Sequence, residues 1–366
     1  MQAFDNCHRE MIQIRFVCSI IVMKFPRCAT GLTAVANVAL AMPVSAVVNI
    51  DFVTVGNAGN ANNGGSGAVE YVYQISKNET TIAQYAEFLN AVAKTDTYGL
   101  YSSSMFISLV RGISRTGVSG SYTYLVSPGS GNRPITYTSW FDAARFCNWA
   151  HNGQLSGVQD ASTTERGAYT LDGKVSGTDV TKDVGATVWI PSQNEWYKAA
   201  YYDPSKTSRT GGGYWQYPNQ SDALNGNTVG VLGAANYFDG DYVGSGSSSL
   251  PTSNVLTDVG AYGADSESYY GTNDQGGNVM EWTDSISTIS DPNEARVLRG
   301  GSWHENGSSM SSGTKWIALP TSEYASMGFR VASVAGFVPE PGSLILTMGC
   351  RTKKLKKPDD WLFFWP

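Results

Sequence analysis

The amino-acid sequence predicts a loop-rich α+β domain, and three observations carry that expectation. Forty glycines stand against only 15% charged residues, so the surface is polar through Ser, Thr, Asn and Gly, and long connections dominate. Two stretches begin with Ser and place an acid three residues later, the signature of a helix start. One stretch, Val69 to Ile75, alternates apolar and polar residues as a half-buried strand does. At 366 residues, 42% hydrophobic and 12% aromatic, the chain can bury a full core, and the aromatic content argues against disorder.

The elements follow in order. Lys24 and Arg27 precede an apolar run from Ala29 to Met42 and the small residues Val44-Ser45-Ala46. That layout predicts an export signal with the mature chain starting near Val47 and Met23 as initiator; a short buried helix is the alternative. Residues 1–46 are thus expected to be an extension and signal peptide, 47–335 one large domain, and 336–366 a tail. Gly56 to Gly67 has no apolar period and predicts a surface loop. After the strand, Thr81 caps a helix with Ile82, Tyr85, Phe88, Leu89 and Val92 on one face. Ser139-Trp140-Phe141-Asp142 starts a second helix, with Ala143, Phe146, Cys147 and Ala150 inward, and Ser192-Gln193-Asn194-Glu195 a third, with Trp196, Ala199 and Ala200 inward. Asp142 and Glu195 therefore read as caps rather than as a catalytic carboxylate pair.

Composition excludes several functions. A formal charge of -6 and a pI near 5.2 leave no basic footprint for nucleic acid. Histidines 8, 151 and 304 are too few for a histidine-rich zinc or iron centre. No Gly-x-Ser-x-Gly elbow supports a nucleophilic serine. His304 beside Glu305 is the one acid/base pair to weigh, against a plain solvated loop. Cys147 is the only cysteine inside the expected domain, which predicts a small buried residue and no internal disulfide.

Five motifs in one order resemble the formylglycine-generating enzymes, also called sulfatase-modifying factors, over roughly Val53 to Ser333. They are Tyr73 to Tyr85, Pro134 to Ala144, Ile190 to Ala200, Gly277-Asn278-Val279-Met280-Glu281-Trp282, and the bracket Arg299-Gly300-Gly301-Ser302-Trp303 with Gly328-Phe329-Arg330. The resemblance implies the sulfatase-modifying-factor fold, related to C-type lectin-like domains. The family places two redox cysteines within that bracket; by count they become Glu305 and Met310 here, and a substrate-holding arginine becomes Ala318. The cysteine-to-formylglycine oxidation and its copper are therefore not expected. The resemblance also implies a ligand groove at Trp282, Ser302, Trp303, His304 and Glu305, with core packing as the alternative for the tryptophans and backbone satisfaction as the alternative for Ser302. It implies structural calcium at Gly276, Gly277, Val279 and Glu281, with half of a second site at Asn236; a salt bridge from Glu281 to Arg299 or Arg330 is the alternative.

Two functional expectations follow. The first is an exported module that binds a peptide, glycan or surface-protein ligand; the second is an enzyme of this family, an oxidase or a divergent chemistry using Glu305 and His304. Val338-Pro339-Glu340-Pro341, an apolar stretch and a basic end resemble a PEP-CTERM sorting signal, implying contact with a membrane or sorting machinery. The apolar stretch is short against the roughly 20 residues of a membrane helix.

Overall fold

The computed structural model describes residues 47–107, 109–207, 212–252, 254–287 and 295–336. Three helices and a set of short strands are held together by long connections, the α+β character expected from the glycine content. The first part of the domain runs β1 (Phe52–Val55), β2 (Tyr73–Ser76), α1 (Ile82–Val92), β3 (Ile113–Thr116), β4 (Thr123–Val126) and α2 (Trp140–His151). The second runs β5 (Val188–Trp189), α3 (Gln193–Tyr201), β6 (Tyr202–Asp203), β7 (Gly213–Tyr214), β8 (Met280–Ile286), β9 (Arg296–Arg299), β10 (Trp316–Ala318), β11 (Met327–Gly328) and β12 (Ala332–Val334). One sheet has the order β1-β2-β12-β5 and another β10-β9-β8-β11; β3-β4 and β6-β7 are separate hairpins.

The helices begin where the capping residues say. Thr81, Ser139 and Ser192 each accept a hydrogen bond from the backbone N–H three residues on, and the residue there reaches back to the cap N–H. All five apolar residues expected on the α1 face are buried. The strand expected over Val69 to Ile75 is shorter than its alternation suggested. Pairing with β1 ends at Val55 opposite Tyr73, so Tyr71 and Val72 lie outside the ladder and are exposed.

Phe329, from the second half of the bracket motif, sits where α1 and α2 meet. Its ring lies 5.4 Å from Phe146, which lies 5.4 Å from Phe88, and Phe88 lies 5.2 Å from Trp149. These edge-on and tilted aromatic contacts form the centre of the main core. Cys147 is free and buried in the same core. Among the described residues no helix is long and apolar enough to cross a membrane. The expected signal peptide and sorting tail lie outside the described residues.

Candidate functional site

The segment after β9 turns on Gly300 and Gly301, whose φ angles of 100° and 65° are left-handed. A Cβ on Gly301 would lie 2.9 Å from the Ser309 side chain, and one on Gly300 3.1 Å from the Gln275 carbonyl, so both need glycine. The turn lays residues 302–310 against the loop before β8. Trp303 N–H donates to the Asn278 carbonyl at 3.0 Å, and Gly277 N–H to the Gly300 carbonyl at 2.9 Å.

The two tryptophans expected to edge a groove take the core-packing alternative instead. Trp303 is only 4% exposed, packed with Val110, Val255, Leu256 and Val279, and its indole N–H donates to the Ala325 carbonyl. Trp282 is fully buried and donates to the Thr138 carbonyl at 2.9 Å. Each indole finds apolar neighbours for its rings and a carbonyl for its single donor, which removes any gain from exposure. Ser302 is also buried; its hydroxyl donates to Glu305 and accepts from the His304 N–H.

Of this set Glu305 is half-buried and His304 is the exposed member. Its ring leans on Trp303 at 5.2 Å and on Tyr242 at 6.4 Å, and Tyr242 stacks toward Phe238. Its Nδ1 lies 4.0 Å from one Glu305 oxygen, beyond hydrogen-bond reach, while the other oxygen is held by Ser302. Met310 is buried beside Gly276. Beyond it the chain enters β10, an edge strand of its sheet, with Trp316, Ile317 and the following Leu319 exposed. Sequence reasoning reached this strand only at Ala318, where the resemblance lacks its arginine, and missed the apolar edge beside it.

Glu281, the one carboxylate expected on calcium, is already occupied in this arrangement. Glu281 accepts from Arg330 Nη2 at 2.7 Å on one oxygen, and from Arg330 Nε and Trp196 Nε1, both at 2.6 Å, on the other. Neither side chain of the ion pair is exposed. The guanidinium thus stands where a cation was expected, and the salt-bridge alternative describes Glu281. Asn236 is buried, its carbonyl accepting from Asn278 N–H and its amide donating to the Val255 carbonyl. Gly277 packs so closely on Asn236 that a Cβ there would collide with that carbonyl. Among the described residues no group of three or more His, Cys, Asp or Glu could hold a metal ion.

Two further acids surround this pair, and the sequence did not single them out. Glu79 accepts from Val279 N–H and the Asn278 amide; burial, then Asp274 and Glu281, push its carboxyl well above the usual range, against Arg330. Burial likewise pushes Asp274 up to about 6. Glu79 and Asp274 therefore hold their protons more tightly than isolated carboxyls do. Arg299 donates to the Ser312 and Thr314 carbonyls, holding the loop ahead of β10 as expected of a structural arginine.

A family model described as a sulfatase-modifying factor enzyme 1-like domain matches residues 53–335. No curated protein matches. Among solved structures the chain is similar to CarF, with 16% identity over 78% of this chain and 98% of that one and a TM-score of 0.45. It is also similar to variable protein 1 of Treponema denticola, with 19% identity, 78% and 94% coverage and a TM-score of 0.45. PvdO from Pseudomonas aeruginosa follows at 17% identity, 72% and 81% coverage and a TM-score of 0.36.

Proposed function

The chain belongs to the sulfatase-modifying factor enzyme 1-like family, and from that premise we propose that it is an exported member that binds a peptide, glycan or surface-protein partner instead of oxidising a cysteine. The observation behind this reading is the chemistry at the two positions where the family carries thiols. Glu305 is tied to Ser302 and Met310 is a buried thioether, and neither can become the thiolate that such an oxidation and its copper require. Cys147, the one cysteine among the described residues, is no substitute, since burial pushes its thiol well above the usual range.

The surface best suited to a partner is the stretch from His304 to Leu319. It pairs an exposed imidazole on an aromatic base with an open strand edge bearing Trp316 and Ile317. A strand edge offers unpaired backbone groups to an extended segment, and apolar side chains beside it supply pockets for alternate residues. Export belongs to the same proposal through the Lys24 to Ala46 pattern and the Pro-Glu-Pro tail.

The test is a peptide and glycan array probed with the full chain and with Trp316→Ser/Ile317→Ser. Hits that the double variant loses while melting unchanged support the reading. A mass loss in a Cys-x-Pro-x-Arg peptide incubated with the protein and copper, matching thiol-to-aldehyde conversion, overturns it.

A further inference from the structure

A cleft of about 150 Å³ opens at the start of α2, lined among others by Tyr98, Ser139, Asp142, Arg145, Thr321 and Glu323. It lies below the roughly 300–1,000 Å³ of pockets that take drug-sized molecules, so its ligand is small. The cleft owes nothing to the surface from His304 to Leu319, and the sequence read Ser139 and Asp142 there only as a helix cap.

Arg145 is fully buried there, yet one of its nitrogens is idle. Nε and Nη2 donate to the two Glu165 oxygens at 2.7 and 3.0 Å, Nη2 also donates to the Lys174 carbonyl, and Tyr98 lies across the guanidinium at 4.2 Å. Nη1 has no hydrogen-bond partner among the described residues. A buried charged donor without an acceptor is rare in native folds and calls for one.

The opposite need stands one turn away on the same helix, and across from it at Glu323. Asp142 is buried, with one oxygen taken by the Ser139 N–H and hydroxyl, and Glu323 stands near it. Neither acid forms a salt bridge among the described residues, because the charge of Arg145 is already met by Glu165. Burial pushes the Asp142 carboxyl up to about 8, with Glu323 adding to the rise and Ser139 and Arg145 opposing it. Burial raises Glu323 as well, with Asp96 adding and Ser102 opposing. The cleft therefore holds one N–H donor without an acceptor and, among the described residues, two carboxyl groups without an ion pair. A sugar hydroxyl would meet the first need and leave the second.

We propose that this cleft binds a small α-amino acid group, its carboxylate or carbonyl oxygen accepting from Arg145 Nη1 and its ammonium pairing with Glu323 and Asp142. A free amino acid and the first residue of a peptide both carry that chemistry.

The full chain is titrated by calorimetry with L-alanine, L-alanyl-L-alanine and N-acetyl-L-alanine at millimolar concentrations. L-Alanine binds saturably, and acetylation of its nitrogen weakens binding at least about tenfold, equivalent to ~1.4 kcal/mol. Binding of L-alanine alone assigns the cleft to free amino acids, and binding of the dipeptide as well extends it to peptide N-termini. Because Arg145 is buried and its replacement could unfold the chain, the variants are Glu323→Gln, which removes the charge, and Thr321→Trp, which fills the mouth. Each loses at least about tenfold in affinity with an unchanged melting temperature, on the same scale of ~1.4 kcal/mol per decade. No saturable binding of any probe, equal binding of the acetylated one, or full affinity in Glu323→Gln overturns the proposal.

Discussion

Two arginines, both fully buried, behave differently. Arg330 makes five hydrogen bonds: Nε and Nη2 to Glu281, Nη2 to the Asn273 carbonyl, and Nη1 to the Ser76 and Lys77 carbonyls. A guanidinium has five N–H donors, so this one is used up. Arg145 pairs just as well with its own glutamate but leaves Nη1 unmet at a cleft. The difference teaches that burial and ion pairing alone do not show that an arginine's donors are all used; at Arg145 the one left over lies beside a cleft. Arg330 knots β2, β8 and the Asn273 loop together, whereas Arg145 closes a loop and has capacity to spare.

The largest expected effect tests that contrast directly. Arg330→Met leaves Glu281 buried without its partner and should cost about 3–5 kcal/mol in urea unfolding. Arg145→Met should cost less, because Glu165 keeps the Gly173 N–H and the Thr164 hydroxyl as donors. Equal losses would erase the distinction between a saturated and an unsaturated arginine.

The next effect concerns the acid beside Arg145. Asp142 is raised from 3.8 to about 8 by burial first and Glu323 second. A raised folded pKa means that the native state holds the proton more tightly than the unfolded chain. Its contribution to stability is therefore complete below about pH 4 and is lost as pH rises through about 8, at up to about 1.4 kcal/mol per pH unit. Asp142→Asn retains an acceptor for the Ser139 cap but cannot ionise, so its unfolding free energy should decline less between pH 5 and pH 8 than that of the parent protein. Parallel pH profiles would show that Asp142 is not buried against its charge.

Calcium should have the smallest effect. With Arg330 holding Glu281, melting temperatures with calcium and with chelator should agree. A calcium-dependent rise that Glu281→Ala abolishes would show that Glu281 exchanges the guanidinium for the ion, and that the Arg330 knot is less closed than its five bonds imply.

Much of the fold was legible because its signals are local. A capping box spans three residues, so Thr81, Ser139 and Ser192 announce helix starts without reference to anything distant. The α1 stripe and the burial of Cys147 and Trp196 follow from periodicity within a helix. The site was less legible. Trp303 stands in a motif that suggested an exposed rim, but its burial depends on Val110 and Val255, which no spacing around Trp303 reveals.

By itself, then, the sequence determined the helix starts, the glycine turn at 300–301, the loop-rich α+β character and the lack of thiols after that turn. Each of these rests on a residue's own conformational range or on groups a few positions away. Only the tertiary structure decided that Glu281 belongs to Arg330, that Trp282 and Trp303 are core, and that Arg145 has an idle nitrogen. Those outcomes depend on partners many residues distant, Glu281 with Arg330 and Trp196, Arg145 with Glu165 and Tyr98. A charged side chain's role is set by how many of its hydrogen bonds the folded chain meets, and that sum exists only once the distant segments have come together.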